Sequence, residues 1–557
     1  MRKIDYKVSF VLLSLALFIL NMLQAKYTGV ISDETYYSLY GKHLSWGYFD
    51  HPPMVALMVK ISSMLFSGAL GIRFITVIAH IITIFFTWKA IDDQKPDTPK
   101  VLTFFLLATS TALFSILGVI TTPDSALLLF ISLFLYAYRQ FLKNATWLNT
   151  VFMAVAMAGL VYSKYQAALV ILFVLLSNIR LLMNRKFLVS GFLAVVLFFP
   201  HLYWQYAHDF PTFRYHLVER AGDFEWKYVY EYFPNLLAAY NPFIFGAIVY
   251  LIVRNNPRDH FERALQYLIV GFVVFFWTAA TRGHVQPQWT LGAAIPMIIL
   301  LYKYLWQNEK LRRFIYLTAI PTLVLMVVIR IMLTGNNVLS DLASVEKHRA
   351  KTEAIEKAAG NLPVLFFGSF QESSKYEYFV HKPSFTLGFV DSRHTQFDIW
   401  QIERQYHNKP VFICQYVPGM SKWYRYDKGW ICGFATDSLQ TVNRMELSFH
   451  MPDLVIERGE IVKIHCTIHS PFNCDINFYH PRVPVDVVSV FFQKDDPWYR
   501  PVKISGPVGI IKAGETISRE ITLEVPQLLD GTYHFGFSLS TSICKPQNSK
   551  LVEVRLK

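Results

Sequence analysis

Charged side chains are scarce in this chain. Of its 557 residues, 17% are Asp, Glu, Lys or Arg and 53% are hydrophobic, whereas an ordinary soluble domain has about 25% charged residues. This shortage excludes a wholly soluble protein. Apolar runs long enough to cross a hydrocarbon core of about 30 Å recur as far as residue 333, and the remainder has the mixed composition of globular domains. The sequence therefore predicts a polytopic membrane domain followed by a soluble tail.

Other features are missing as well. No basic run interleaved with aromatic residues is present, so the net charge of +13 does not indicate a nucleic-acid partner. Neither an internal repeat nor a low-complexity segment stands out. Cysteine is absent from the membrane part and occurs only in the tail, at Cys414, Cys432, Cys466, Cys474 and Cys544. An oxidising compartment permits disulfides there, but an odd number leaves one thiol over, and the pairing stays open.

The apolar runs predict eleven transmembrane helices. They lie near residues 8–25, 70–88, 101–119, 125–142, 147–162, 166–183, 188–204, 233–253, 264–281, 288–306 and 314–333. No convincing cleavage site of small residues follows the first run, so we interpret it as a retained helix rather than a signal peptide.

Basic residues concentrate in alternate loops. These loops contain Arg2, Lys3, Lys7, Lys89, Lys95, Lys100, Arg139, Lys143, Arg180, Arg185, Lys186, Arg254, Arg258, Arg263, Lys303, Lys310, Arg312 and Arg313. The positive-inside rule assigns them to the cytoplasm. The remaining loops and the tail then face outward.

The secondary-structure pattern of the tail changes near residue 440. Alternating strand-like and helix-like stretches predict an α/β domain over residues 334–440, and short β-rich runs between Pro, Gly and Asp turns predict a β-sandwich of immunoglobulin type over 441–557. The predicted architecture is a membrane domain over 1–333 followed by these two extracytoplasmic domains. The sequence of the tail contains no catalytic constellation.

The outward loops contain an unusual set of ionisable residues. The stretch ISDETYYSLYGKHLSWGYFDHPPM provides Asp33, Glu34, Asp50 and His51. A carboxylate near the membrane surface can have its pKa raised towards the working range of a general base. The alternatives are a solvated loop acid for Asp33 and a rigid interfacial turn around Asp50, which Pro52 and Pro53 would stiffen.

Four other outward segments add to this set. In TTPDS, Thr122 is typical of an N-cap and Asp124 would lie at the positive end of the helix dipole. The remaining residues are Lys164 and Tyr165 in YSKYQ, His216, Glu219 and Arg220 in FPTFRYHLVERAG, and Arg282 and His284 in TRGHVQPQW. Each has a structural explanation when taken singly, such as an interfacial anchor. Together they indicate one cavity that holds an anionic ligand beside a base, because ionisable groups near bilayer depth are rare and usually functional.

These motifs, in this order and over roughly residues 5–330, resemble bacterial members of glycosyltransferase family 39, which are related to protein O-mannosyltransferases and to the lipid A aminoarabinose transferase. The resemblance implies a GT-C fold, a polyprenyl-phosphate sugar donor and transfer at the outer face of the cytoplasmic membrane. The acid of the family's first outward loop corresponds to Asp33. In the aminoarabinose transferase a glutamate and a lysine stand at the positions of Asp50 and His51, so the resemblance retains the acid at Asp50 but not the residue at His51.

The chemistry that follows from the resemblance needs one base, since the departing phosphate is already a stable anion. We expect Asp33 to act as the base or to orient the acceptor, with Glu34 in support. Lys164, Arg220 and Arg282 are predicted to bind the phosphate of an undecaprenyl-phosphate sugar. We predict that six further residues contact the sugar, the acceptor or a divalent cation, which would be an optional cofactor. These residues are Asp50, His51, Asp124, Tyr165, His216 and His284.

Two other functions remain open. A flippase or transporter of polyprenyl-linked sugars could have as many helices, although its acids would be expected near mid-helix and often in inverted repeats. A non-catalytic assembly protein could bind glycan through the tail. A cytoplasmic nucleotide-sugar transferase is disfavoured, because the short inward loops contain no Asp-x-Asp motif and no Gly-rich phosphate loop. Neither the sugar nor the acceptor, whether lipid A, another glycan or a protein, can be read from the sequence.

Overall fold

The computed structural model describes residues 5–215, 224–334, 344–390, 392–451, 454–481, 483–493 and 496–557. The chain divides into two compact units, Met1–Lys347 and His348–Lys557. Each unit is described by itself below.

The first unit is helical throughout its described part. Its α-helices are α1 (Tyr6–Tyr27), α2 (Ser32–Lys42), α3 (Met54–Leu65), α4 (Gly68–Ile91), α5 (Thr98–Thr109), α6 (Ala112–Ile116), α7 (Pro123–Lys143), α8 (Trp147–Ser163), α9 (Ala167–Ser177), α10 (Arg185–Ala207), α11 (Pro211–Arg214), α12 (Trp226–Tyr240), α13 (Pro242–Arg254), α14 (His260–Ala279), α15 (Ala294–Leu305) and α16 (Glu309–Met332). Short 3-10 helices at Ile179–Met183, Ala280–Arg282 and Pro287–Ala293 extend or precede their neighbours.

Six of these helices are long and apolar enough to cross a membrane, namely α1, α4, α7, α10, α14 and α16. The pair α12 and α13, which is bent by 102°, gives a seventh span if it is counted as one. The predicted number of eleven is therefore not confirmed. Several predicted spans fall on shorter or broken helices: 101–119 is divided where Ser110 and Thr111 bond the carbonyl oxygen of Leu107. Hydroxyl groups that bond backbone carbonyls compete with the hydrogen bonds of the helix. Hydropathy averaged along the chain does not detect this competition.

The helix α7 lies in the interior of the helical unit. Its buried residues Ile131, Phe134, Leu135 and Tyr138 recur at helical spacing, which places them on one face, and the helix packs against α4 and α8. By contrast, α1 and α16 expose many apolar side chains, as expected of helices that contact lipid. The N-terminal end of α7 is thus held in a well-packed position, and it is there that Asp124 lies.

The second unit begins with a mixed α/β region. Its strands are β1 (Val364–Phe367), β2 (Ser384–Leu387), β3 (Val411–Ile413), β4 (Lys422–Tyr426) and β5 (Gly429–Thr436), in the sheet order β2-β1-β3-β5-β4. The first three are parallel and the last two join antiparallel. The accompanying helices are α17 (Arg349–Ala359), α18 (Phe370–Val380) and α19 (Gln396–Trp400), and a 3-10 helix spans Ile402–Gln405.

The rest of the second unit is β-rich. It contains β6 (Glu446–Phe449), β7 (Val455–Ile456), β8 (Ile461–His469), β9 (Ile476–Asn477), β10 (Asp486–Gln493), β11 (Asp496–Pro501), β12 (Lys503–Ile504), β13 (Ile510–Ile511), β14 (Thr516–Glu524), β15 (Gly531–Ser540) and β16 (Val552–Leu556). The two larger sheets have the orders β11-β10-β15-β16-β7 and β12-β14-β8-β6. Ile464 and Ile468 of one sheet share an apolar core with Phe535 and Phe537 of the other, as in two sheets packed face to face.

Candidate functional site

The segment that follows α1 places two carboxylates in different environments. α2 begins at Ser32, so Asp33 and Glu34 lie in its first turn, where the helix dipole favours negative charge. Glu34 accepts a hydrogen bond from the backbone N–H of Ile31 at 3.0 Å and is fully buried, whereas Asp33 is exposed. The exposed carboxylate can be reached by a substrate, and the buried one is committed to the protein.

The partner of Glu34 is Arg73, which lies in α4 and is also fully buried. Arg73 Nε donates to Glu34 Oε1 at 2.7 Å and Nη2 donates to Oε2 at 2.5 Å, the two-pronged geometry of a strong ion pair. Oε1 also accepts from the backbone N–H of Thr121 at 2.9 Å. With the bond from Ile31, all four principal acceptor positions of the carboxylate are occupied.

The remaining N–H groups of Arg73 bond backbone carbonyls in the last turn of α1 and just after it. Nη1 donates to Ala25 O at 3.3 Å and to Thr28 O at 2.7 Å, and Nη2 donates to Gly29 O at 3.0 Å. All five guanidinium N–H groups are thus used. The pair fastens the end of α1, the start of α2, α4 and the segment before α7 together. We therefore assign Glu34 a positioning role rather than a catalytic one.

Asp50 is held by a cluster of tyrosines. It is buried and accepts a hydrogen bond from Tyr40 Oη at 2.7 Å. The Tyr40 ring stacks on that of Tyr48, with centroids 3.9 Å apart, and Tyr48 Oη donates to the carbonyls of Tyr40 and His43. The sequence indicated a rigid turn from Pro52 and Pro53, but the orientation of Asp50 is also fixed by these aromatic side chains.

Tyr40→Phe is expected to lower the free energy of unfolding by about 1–3 kcal/mol, because it removes a hydrogen bond to a buried carboxylate. Thermal unfolding of the detergent-solubilised protein measures this. Tyr230→Phe is a suitable control, since Tyr230 is 63% exposed. Equal unfolding temperatures for the two variants would contradict the assigned role of Tyr40.

The phenol of Tyr37 is affected by the charges of three of the acids. Burial raises its pKa well above the ordinary value, and the charges of Asp33, Asp50 and Asp124 raise it further, in that order. The His51 ring lies against it, with centroids 5.8 Å apart. The charges of three carboxylates, two from residues 31–54 and one from the first turn of α7, therefore act on one neutral phenol.

Asp124 forms a buried ion pair with Lys164. Thr122 is the N-cap of α7 and Pro123 its first residue, as the sequence predicts, so Asp124 lies in the first turn. Lys164 follows α8 as its C-cap, and its Nζ lies 2.7 Å from Oδ1 and 2.9 Å from Oδ2 of Asp124. Both side chains are buried. The lysine is thus a fixed cation and does not extend into the headgroup region.

Tyr165 belongs to a second polar network. Its hydroxyl lies 2.9 Å from His201 Nε2 and accepts from Gln205 Nε2 at 2.8 Å. Gln205 also donates to Thr212 Oγ1 at 2.7 Å, and Thr212 donates to the carbonyl of Tyr48 at 3.2 Å. Burial raises the pKa of Tyr165, and the negative charge of Asp50 adds to this. The network connects α10 to the loop that contains Asp50.

The other predicted site residues are not joined to this group. Arg282 and His284 are exposed, and the His284 ring packs against Tyr228 with centroids 5.9 Å apart. Within the described ranges the structure shows no contact of either residue with the acids around Tyr37. His216 and Arg220, with Glu219, lie outside the described residues. The described part of the chain contains no group of three or more His, Cys, Asp or Glu residues that could hold a metal ion.

Sequence reasoning missed Arg73, His201 and Gln205. Arg73 and His201 lie in predicted spans, Gln205 is the first residue after one, and all three are fully buried. A signal exists for Arg73 and His201, because an ionisable residue inside an apolar run is itself evidence of a specific partner.

Comparison with known proteins shows which family the chain resembles. Residues 50–204 match the family model described as dolichyl-phosphate-mannose-protein mannosyltransferase. Over 306 residues the chain is 24% identical to the lipid A galacturonosyltransferase RgtD of Rhizobium johnstonii, an alignment that covers 52% of this chain and 63% of that protein. The fold is similar to that of ArnT from Cupriavidus metallidurans bound to undecaprenyl phosphate, with a TM-score of 0.56 and 13% identity over 77% of this chain and 98% of ArnT. The chain resembles glycosyltransferase family 39.

The structure of ArnT in the apo state matches to the same extent, with a TM-score of 0.57 and 13% identity over 77% of this chain and 97% of that one. The part that matches this family model includes Asp50, Arg73, Asp124, Lys164 and His201, and it ends before the tail. The chain spans less than two thirds of the length of RgtD. The GT-C-type fold and the family resemblance are therefore shown, together with a helical membrane region and a β-rich C-terminal region.

Proposed function

We propose that the protein transfers a sugar from a polyprenyl-phosphate-linked donor to an envelope acceptor at the outward face of the bacterial cytoplasmic membrane. The observation that carries the proposal is the buried ion pair of Lys164 with Asp124, and the charges of Asp33 and Asp50 act together with that of Asp124 on Tyr37. The names of the similar proteins, a lipid A galacturonosyltransferase and an ArnT bound to undecaprenyl phosphate, support both substrates. Of the acceptors considered, lipid A is the one that the name of RgtD favours.

In the proposed reaction, the oxygen of an acceptor hydroxyl attacks the anomeric carbon of the sugar. The bond from that carbon to the phosphate oxygen breaks, and polyprenyl phosphate departs with the bonding electrons. The acceptor proton passes to the Asp33 carboxylate. A glycosidase needs a second carboxyl group to protonate an alcohol leaving group, but a phosphate is stable as an anion, so one exposed carboxylate is sufficient.

Lys164 is suited to the donor phosphate. An ammonium group has three N–H donors, and within the described residues its bonds go to the two oxygens of Asp124. One N–H remains for the ligand, and Asp124 fixes the direction of the other two. A preorganised cation at the site where negative charge develops is among the most effective forms of catalytic stabilisation. Asp124 therefore positions Lys164, and Asp50 and Tyr165 line the same outward region.

The experiment that tests the function uses the full chain in nanodiscs. The protein is incubated with undecaprenyl-phosphate sugars and an envelope extract, and the products are compared by mass spectrometry with those of Asp33→Asn. Sugar transferred only by the wild type supports the proposal and identifies the acceptor. Specific donor binding without any transfer would favour the flippase or the glycan-binding protein instead.

Lys164→Met is expected to raise the donor KM by about 10–100-fold, because a buried charge-assisted hydrogen bond to phosphate is lost. The acceptor KM should change little. Steady-state kinetics with varied donor and then varied acceptor measure the two constants. Lys227→Met is the control, since Lys227 is exposed and also near a carboxylate, at 3.9 Å from Glu231. An unchanged donor KM in Lys164→Met would reject the phosphate role.

A further inference from the structure

A lipid-facing groove between α1 and α16 contains an arginine that the proposed reaction does not use. The cavity has a volume of about 430 Å³ and is lined by Leu20, Leu23, Gln24, Tyr27, Val327, Arg330, Ile331 and Thr334. Leu23, Tyr27 and Ile331 are more than half exposed. In a membrane, side chains of this kind contact acyl chains.

Arg330 differs from Arg73 in how its charge is satisfied. Nη2 of Arg330 donates to Asn21 Oδ1 at 2.6 Å, and this is the one hydrogen bond of its guanidinium to the described part of the chain. No carboxylate of the described residues lies within ion-pair distance. A guanidinium inside a membrane protein is strongly stabilised by an anion, and here four of its five N–H groups are left for one.

The neighbouring residues hold Arg330 in place. Asn21 is fully buried and its Nδ2 lies 3.0 Å from His80 Nδ1, so the amide that receives the arginine is itself fixed. Gln24 Nε2 donates to the carbonyl oxygen of Arg330 at 3.2 Å, which fastens α16 to α1. The guanidinium is therefore held by one hydrogen bond to a fixed amide, and the backbone that carries it is bonded to α1.

We propose that this groove binds an anionic phospholipid, with the headgroup phosphate on Arg330 and an acyl chain along Leu20, Leu23, Val327 and Ile331. Basic pockets between transmembrane helices bind acidic lipid headgroups in this way. The occupant is a bilayer lipid and not the sugar donor, because none of the residues that line the groove belongs to the group around Tyr37 and Lys164. The proposal is independent of the proposed function.

Native mass spectrometry of the full chain tests the site. The protein is released from detergent in the presence of phosphatidylglycerol, phosphatidylethanolamine or undecaprenyl phosphate, and the fraction carrying one lipid is measured. The wild type is expected to retain phosphatidylglycerol in preference to the other two, and Arg330→Gln should lower the affinity for it about fivefold. Asn21→Asp should lower it as well, since a carboxylate then occupies the guanidinium.

Arg254→Gln is the matched control. Arg254 is likewise an arginine in the last turn of an apolar helix, α13. If the helix dipole alone were responsible, Arg254→Gln and Arg330→Gln would lower phosphatidylglycerol binding equally. Unchanged phosphatidylglycerol binding in both Arg330→Gln and Asn21→Asp overturns the proposal. Preferential binding of undecaprenyl phosphate that Arg330→Gln removes would also overturn it, because the groove would then hold the donor. Unfolding temperatures of all variants show whether a loss reflects misfolding.

Discussion

Replacing Asp33 by Asn is expected to lower kcat for sugar transfer by about 10²–10⁴-fold, the usual contribution of general-base catalysis. The amide keeps the shape of the side chain but cannot accept the acceptor proton. Asp33 is exposed at the first turn of α2 while its neighbour Glu34 is fully occupied, so no adjacent carboxylate is placed to substitute. Steady-state transfer assays measure kcat, and the donor KM should change little.

Two variants make this result specific. Asp33→Glu keeps the carboxylate and should restore part of the activity. Asp209→Asn removes an exposed outward acid that pairs with Arg214 at 2.5 Å, and it should leave kcat unchanged. Wild-type kcat in Asp33→Asn would remove Asp33 from the mechanism. An equal loss in Asp209→Asn would indicate a general effect of charge near the membrane surface.

Removing Arg73 is expected to have the largest effect on stability. Arg73→Met leaves the Glu34 carboxylate buried without its partner, which should lower the free energy of unfolding by about 3–5 kcal/mol. It also leaves the carbonyls of Ala25, Thr28 and Gly29 without donors. Unfolding by SDS in mixed micelles measures the change, and Asp33 is expected to lose its position because the start of α2 is no longer fastened.

A double-mutant cycle separates the pair from its surroundings. Glu34→Leu combined with Arg73→Met should cost at least about 1 kcal/mol less than the sum of the single changes, because the groups contact each other directly. Arg214→Met serves as the control, since its pair with Asp209 is 61% and 72% exposed and should be worth at most about 1 kcal/mol. Strict additivity at Glu34 and Arg73 would contradict the described pairing.

The sequence predicted the fold best where the signal was local. α1, α4 and α16 coincide closely with the predicted spans 8–25, 70–88 and 314–333, because long apolar runs are sufficient to identify such helices. The prediction was weakest where a helix breaks. The span predicted at 233–253 is bent by 102° between α12 and α13, where Asn241 has positive φ and caps α13 with its side chain. Average hydropathy contains no information on such a cap.

The candidate site could be predicted only in part. The order of the motifs in sequence predicted that Asp33, Asp50, Asp124 and Lys164 lie together. In the structure Asp124 pairs with Lys164, and the charges of all three acids act on Tyr37. The pairing of Glu34 with Arg73 could not be predicted, because it depends on how α4 packs against the start of α2. The sequence also predicts that Arg282 binds the donor phosphate together with Lys164. The structure leaves Arg282 exposed, and this too depends on how the helices pack.

The pairing of Lys164 with Asp124 has a consequence for turnover under the proposed function. An unpaired cation in a poorly hydrated pocket would hold the departing polyprenyl phosphate, and it would also attract phosphate or chloride when the pocket is empty. A lysine with a carboxylate 2.7 Å away stays paired with it, so its charge is already partly neutralised as the product leaves. The permanent counterion therefore limits product inhibition and favours ligands whose lipid chain adds binding energy that small inorganic anions lack.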